Sequence, residues 1–164
     1  MPPRQPQSTD SSEGSDRGLR FTGIRWGDPL LWIALAAGPV VWVGMAWLLA
    51  PELDPAWPLA APGIFLLGVV AYPVLEEVVF RGLIQDWIGR KLRHKLGPIS
   101  LANVLTSLLF AMAHLLRQPW HWATLVFIPS LVFGYFRERH ATLGTPILLH
   151  AFYNLGPIWL FWGP

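Results

Sequence analysis

Glu76, Glu77, His114, His150 and Asn154 are polar groups set into otherwise apolar sequence. They sit in three short clusters: Glu76-Glu77-Val78-Val79-Phe80-Arg81, Phe110-Ala111-Met112-Ala113-His114 and His150-Ala151-Phe152-Tyr153-Asn154. Carboxylates and imidazoles take and give protons, and an uncharged amide can bind a carbonyl oxygen. Ionisable groups in lipid-spanning helices are costly and usually face a bundle interior or a wet cavity, so they are candidate functional groups by default. Two carboxylates, two imidazoles and an amide on separate apolar segments point to one buried reaction centre assembled from three helices.

Spacing divides the work within the clusters. Adjacent helical positions differ by about 100° in direction, so Glu76 and Glu77 cannot both face one point. Glu77 and Arg81 lie one turn apart and share a face, where an internal ion pair would hold Glu77 charged. Glu76 then points elsewhere without a local cation, a setting that suits a general base activating water. Taken alone, the pair reads equally well as two interfacial carboxylates near a span end. His114 lies one turn after Phe110 on the same face; a single imidazole in an apolar helix is more often a packing residue than a catalyst. His150 and Asn154 repeat that spacing. An Asn amide there could stabilise an oxyanion or simply bond helix to helix. His94, His121 and His140 fall in basic or terminal positions and are read as solvated surface residues.

The composition supplies helices to carry these clusters. The chain has 164 residues, 53% hydrophobic and 13% charged, whereas a soluble domain carries about twice that charged fraction. Mean hydropathy is +0.42, and the 10 Trp belong to a type enriched at membrane interfaces, where they read as anchors. The class is an integral membrane protein of one domain. Net charge is +2 and the pI about 9.4. The bases lie beside apolar spans rather than along a soluble face, which argues against a nucleic-acid partner and for the lipid bilayer. Without Cys there is no disulfide, thiolate nucleophile or Cys-based metal site.

Apolar spans run over about 30–50, 62–81, 99–116, 120–136 and 143–162. Pro73 should bend the second span about one turn before Glu76. Leu83, Ile84, Trp87, Ile88 and Leu92 recur at helical spacing among polar residues, which predicts an amphipathic helix over 82–98 at the membrane surface, ended by Gly97-Pro98. The expected fold is all-α: a polytopic membrane helix bundle of about five transmembrane helices plus one amphipathic interfacial helix. Residues 1–28 are expected to be a disordered tail, and 29–164 a single transmembrane domain. Arg17, Arg20 and Arg25 precede the first span, Arg90, Lys91, Arg93 and Lys95 follow the second, and Arg137 and Arg139 follow the fourth. The other connections hold only Arg117 among the bases, with Glu52 and Asp54. This bias places the N-terminus in the cytoplasm and the C-terminus outside, in a cell membrane such as a bacterial inner membrane.

The motifs EExxxR, FxxxH and HxxxN, in this order and each in a membrane helix, resemble the CAAX prenyl endopeptidase and bacteriocin-processing membrane proteases, the Abi or CPBP family. The match is Glu76-Glu77-x-x-x-Arg81, Phe110-x-x-x-His114 and His150-x-x-x-Asn154, without a departure at a defining position, and it covers about 62–160. The resemblance implies an intramembrane endopeptidase that cuts a protein or peptide substrate near its C-terminus or membrane boundary. It implies that Glu76 activates the attacking water, that His114 orients the water or shuttles its proton, and that His150 and Asn154 polarise the scissile carbonyl. Glu77, Arg81 and Phe110 would support the site. Spacing reaches the same division between the two glutamates. Metal use stays open. Glu76, His114 and His150 could hold zinc with an open water position, but HExxH is absent and relatives of the glutamate type need no metal, so a cofactor-free site is preferred.

Two other function classes fit the same residues: a non-catalytic immunity or scaffold protein of this fold, and a small proton-coupled transporter using Glu76 and the histidines as a relay. A relay needs no Asn one turn after His, and a scaffold needs none of the motifs. No GxSxG setting or paired membrane aspartates offer rival protease chemistry, and Ser130 has no evident base. Depth creates a tension. In a straight span from Ile99, His114 lies about 22 Å in, while Glu76 and His150 sit nearer the cytoplasmic face. A shared site requires the second helix to continue past Arg81, the third to begin earlier, or tilt and the Pro73 bend to close the gap. The site is then expected well inside the bilayer, in a water-accessible cavity, with His114 within about two helix turns of Glu76.

Overall fold

The structure, a computed structural model, describes residues 19–52 and 54–162. Helix α1 spans Pro29–Leu49; the Asp28 side chain accepts the Leu30 N–H at 3.1 Å, and Pro29 opens the helix where no donor is needed. A single turn at Trp57–Ala60 leads into helix α2, Pro62–Lys91. These two helices are long and apolar enough to cross a membrane. The turns of α2 widen to π geometry at Leu67–Ala71 and again at Val78–Gln85. Pro73, following the first of these, has no N–H to return to the preceding turn. Strands β1 (Lys95–Leu96) and β2 (Ile99–Ser100) then form a minimal antiparallel hairpin, with Gly97 at φ +64° in its turn. Helix α3, Leu101–His114, starts at Ser100, whose Oγ accepts the Asn103 N–H at 2.9 Å. Helices α4 (Trp120–Leu125), α5 (Phe127–His140) and α6 (Gly144–Phe161) complete the chain. The molecule is 75% helical and nearly all-α.

Several expected elements take a different form. No separate interfacial helix covers 82–98: α2 continues through Asp86 to Lys91, and the hairpin follows. Gly82 alone costs a helix only about 1 kcal/mol, and the Gln85 and Asp86 side chains are bonded to α5, which holds the extension in place. The span expected over 120–136 is broken between α4 and α5, because Pro129 has no N–H for the Leu125 carbonyl. Five full-length crossings are therefore not what the helix lengths display. Helix α3, with 14 residues, is about 21 Å long against a hydrocarbon core of about 30 Å. The expected disordered tail falls outside the described residues over 1–18. Within the rest of it, the Arg20 carbonyl accepts the Leu143 N–H at 2.6 Å and the Thr142 hydroxyl at 2.9 Å. His140, read as a solvated loop residue, is buried: its Nε2 lies 3.0 Å from Asp28 Oδ2 and its Nδ1 2.8 Å from Thr145 Oγ1. The partners that bury it are distant in sequence.

Packing is inverted relative to a soluble domain. Val40, Trp47, Leu59 and Leu116 are 73%, 82%, 86% and 87% exposed. Glu77, Arg81, Asn103, Thr106, Ser107 and Ser130 are sealed inside. Apolar side chains outward and polar ones inward is the arrangement a bilayer rewards. Leu31, Ala34, Phe133, Phe136 and Leu149 join α1, α5 and α6. Trp57, Val69 and Ile158 join the Trp57–Ala60 turn, α2 and α6. Helix α6 lies against α1 at Gly156, where any Cβ would run into the Trp42 ring. Helices α3 and α5 touch as closely at Gly134, where a Cβ would overlap the Asn103 amide.

A polar ladder ties α2, α3 and α5 together. Gln85 Nε2 donates to the Gly134 carbonyl at 3.1 Å and to Glu138 Oε1 at 2.7 Å, and the Ser100 hydroxyl donates to the same Glu138 oxygen. Asn103 Nδ2 donates to the Leu131 carbonyl at 2.9 Å and its Oδ1 accepts from Ser107 at 3.2 Å. Arg137 pairs with Asp86 at 2.6 Å, and Arg139 pairs with Asp28. Hydrogen bonds from Arg139 and from His140 hold the Asp28 carboxyl well below the usual carboxylate range, against the opposing effect of burial.

Two outcomes follow from these contacts. Gly134→Ala should destabilise the protein by about 1–3 kcal/mol, because the fully buried Asn103 amide has no room to retreat; thermal unfolding in detergent reads it, and an unshifted Tm would contradict the packing. Asp28 has a lowered folded pKa, so its stabilising contribution is complete above the unfolded carboxylate value near 4 and is lost as pH falls below it. Asp28→Asn should therefore lower Tm at neutral pH, with the gap to wild type closing as pH falls from about 5 toward 2.

Candidate active site

Glu77 and Arg81 form the centre. Glu77 Oε2 lies 3.2 Å from Arg81 Nε, one helical turn apart and with no exposure of either side chain. The contact is an ion pair rather than an aligned hydrogen bond. Arg81 Nη2 donates to the Ser130 carbonyl at 3.0 Å and to the Ser130 hydroxyl at 2.7 Å. The guanidinium also lies over the Phe110 ring at 4.7 Å and near the Phe133 ring at 5.6 Å. The other carboxylate oxygen, Glu77 Oε1, sits 2.7 Å from His150 Nδ1. An ionised carboxylate only accepts, so this bond places a proton on Nδ1 and fixes the ring. Phe133 stacks on that ring at 4.8 Å between centroids, and Phe110 meets its edge at 5.7 Å.

Glu76 is the accessible carboxylate. Its side chain is 31% exposed, and its Oε2 lies 3.5 Å from His150 Nε2. His150 thus stands between the sealed glutamate and the open one. The two carboxylates differ in burial as the spacing predicts, yet both reach the same His150 ring, one at each nitrogen, which the 100° step between adjacent positions did not anticipate. His114 Nδ1 lies 2.8 Å from the Phe110 carbonyl oxygen. A carbonyl only accepts, so Nδ1 donates and the neutral ring keeps its lone pair on Nε2. Its ring packs on Phe110 at 4.4 Å. Phe110 is therefore the common neighbour of His114, His150, Arg81 and Phe80. Asn154 Nδ2 donates to the Gly68 carbonyl at 3.2 Å. That carbonyl lies in the widened turn to which Pro73 gives no N–H, so the amide supplies a donor the backbone lacks there.

The extension of α2 adds ten residues, 82–91, beyond Arg81 on the hairpin side. At 1.5 Å per residue, Glu76 lies about 22 Å from the Lys91 end of α2, and His114 about 20 Å from the Leu101 end of α3. The two helices leave the hairpin in opposite chain directions, so the two residues lie at similar distances from it along their helices. Sequence reasoning missed Ser130, Phe133, Gly68 and the ladder through Gln85 and Glu138. Only Ser130, beside Pro129 in an apolar run, carries a local signal, and the sequence does not name its partner.

Among the described residues no group of three or more His, Cys, Asp or Glu side chains is arranged to hold a metal ion. His150 directs both ring nitrogens at glutamates, and His114 Nδ1 faces a carbonyl.

The profile of a protein family described as type II CAAX prenyl endopeptidase, Rce1-like, matches residues 57–156. That stretch contains every residue of the centre described above. No curated protein and no solved structure matches the chain.

The buried pair sets a stability test. Removing one partner of a buried ion pair strands the other and costs about 3–5 kcal/mol. Arg81→Met and Glu77→Gln should each cost about that much in unfolding measurements in detergent, while the double variant should recover at least half of the summed loss. Strict additivity of the two losses would show that the charges do not depend on each other.

Proposed function

The chain belongs to the Rce1-like type II CAAX prenyl endopeptidase family, and we propose on that premise that it hydrolyses a peptide bond within the membrane by water that Glu76 activates. Membership makes it a membrane hydrolase of the protease kind. The observation that supports the mechanism is the placement of His150 between Glu77, which is sealed and ion-paired, and Glu76, which is partly exposed. Glu77 is engaged at both oxygens, so Glu76 is the carboxylate free to accept a proton from water.

In this reading a water lies between Glu76 and His114 Nε2. Glu76 takes its proton as the oxygen attacks the scissile carbonyl. The carbon–oxygen double bond opens to an oxyanion, which receives hydrogen bonds from His150 Nε2–H, when both ring nitrogens carry protons, and from the second N–H of the Asn154 amide. Collapse of the tetrahedral intermediate breaks the carbon–nitrogen bond, and Glu76 returns the proton to the leaving amine. The balance is one water consumed, with a new carboxyl and a new amine formed. The proposed chemistry is of the glutamate type, with no metal step.

The proposed topology has five crossings, made by α1, α2, α3, the α4–α5 pair and α6, with a cytoplasmic N-terminus and an external C-terminus in a cell membrane such as a bacterial inner membrane. The short α3 would be accommodated by local thinning of the bilayer. The proposed substrate is a protein or peptide with a C-terminal or transmembrane segment, cut near that end or at the membrane boundary. One observation favours the alternative of a non-catalytic scaffold or immunity protein: the Asn154 amide already bonds helix to helix at Gly68.

Glu76→Gln separates these readings, being nearly isosteric at a partly exposed position. The variant should keep its Tm, while C-terminal peptides released from membrane proteins, followed by mass spectrometry in cells with and without the chain, should fall by at least about 100-fold. Undiminished release by the variant would remove Glu76 from the chemistry.

A further inference from the structure

We infer that the hairpin end of α2 is a docking surface for the phosphate headgroups of anionic lipids, independent of the proposed hydrolytic chemistry. Helix α2 has 30 residues, about 45 Å if fully helical, against about 30 Å of hydrocarbon and 40–45 Å of bilayer with its headgroups. A helix of that length carries its last turns out of the hydrocarbon and into the headgroup layer. Arg90, Lys91, Arg93 and Lys95 stand at that level, and all are exposed.

These cations differ from the others at the same end. Arg137 is paired with Asp86, and Arg139 with Asp28. Glu138 accepts from Gln85 and Ser100. Among the described residues no carboxylate pairs with Arg90, Lys91, Arg93 or Lys95. Fixed positive charge without an internal counter-charge draws its partner from outside.

The neighbouring apolar residues identify that partner as a lipid surface. Trp87 is 59% exposed, Leu92 42% and Leu96 53%, interleaved with the cations. Trp is also enriched at membrane interfaces, beside the cations that reach lipid phosphates. At the headgroup boundary these apolar side chains enter the upper acyl region while the ammonium and guanidinium groups reach the phosphates. Basic clusters directly beyond a membrane helix are drawn to anionic lipid in this way, and the attraction is screened by salt.

The test uses the full chain reconstituted in phosphatidylcholine vesicles containing traces of spin-labelled phosphatidylglycerol or phosphatidylcholine. The motionally restricted fraction of each label gives their relative association. Wild type should favour phosphatidylglycerol roughly fivefold at low salt, and 1 M salt should bring the ratio near one. The fourfold variant Arg90→Gln/Lys91→Gln/Arg93→Gln/Lys95→Gln should lose most of the preference, whereas Arg117→Gln, at the opposite end, should keep it. A wild-type ratio near one overturns the inference without any variant. A preference unchanged in the fourfold variant also overturns it. An acidic peptide bound by wild type in the absence of any lipid preference would make this surface a protein-docking site instead.

Discussion

The sealed ion pair between Glu77 and Arg81 is the interaction on which the rest of the interior depends. Neither charge reaches solvent, and in an apolar bundle an uncompensated charge costs several kcal/mol. Each partner therefore recruits a neighbouring helix. Arg81 holds α5 through Ser130 and rests on Phe110 of α3. Glu77 holds α6 through His150. Four helices thus meet at one pair of charges, and the geometry of the site is a consequence of how those charges are satisfied. Lipid-embedded helices gain little from hydrophobic attraction to each other, so a polar centre of this kind also decides which helix faces inward.

Backbone irregularity is used in the same way. Pro73 removes a donor from α2 just ahead of the two glutamates, and the preceding turns widen. The Gly68 carbonyl in that stretch is answered by Asn154 from α6. A second widened stretch, Val78–Gln85, carries Arg81 itself. The helix that presents the glutamates is therefore shaped on both sides of them, and α6 contributes two contacts one turn apart, His150 to Glu77 and Asn154 to Gly68. The helical spacing of His150 and Asn154 is what allows one helix to make both.

The sequence displayed the parts of this centre that obey local rules. The one-turn spacing of Glu77 and Arg81 announced their pairing, and the 100° step between neighbours separated Glu76 from it. The nearly all-α character and the position of α1 followed from apolar runs. What it did not display was tertiary: that Ser130 would receive Arg81, that Phe133 would stack on His150, or that His140 would be buried by Asp28, 112 residues away. The amphipathic pattern after Arg81 was real, but period alone cannot distinguish a helix lying on the surface from the outer turns of one that crosses. The polar bonds of Gln85 and Asp86 to α5 made that decision. Likewise a 17-residue apolar run reads as one span until Pro129 is allowed to break its hydrogen-bond ladder.

The length of α2 links two features that the sequence presents separately. For Glu76 to meet residues of an antiparallel α3 near its far end, α2 must extend beyond Arg81 by about as much as α3 extends before Phe110. A shorter α2 would leave His114 deeper than the glutamates, and no tilt of α3 alone would retain Ser100 against Glu138 and Asn103 against Gly134. In the proposed topology the same extension carries the connecting hairpin out of the hydrocarbon, where residues must suit a charged and hydrated layer. Lys, Arg and His would satisfy that demand, and the exposed Trp87, Leu92 and Leu96 would hold the hairpin near the boundary. In that topology the depth of the centre and the chemistry of the hairpin are set by one quantity, the number of residues between Glu76 and the end of its helix.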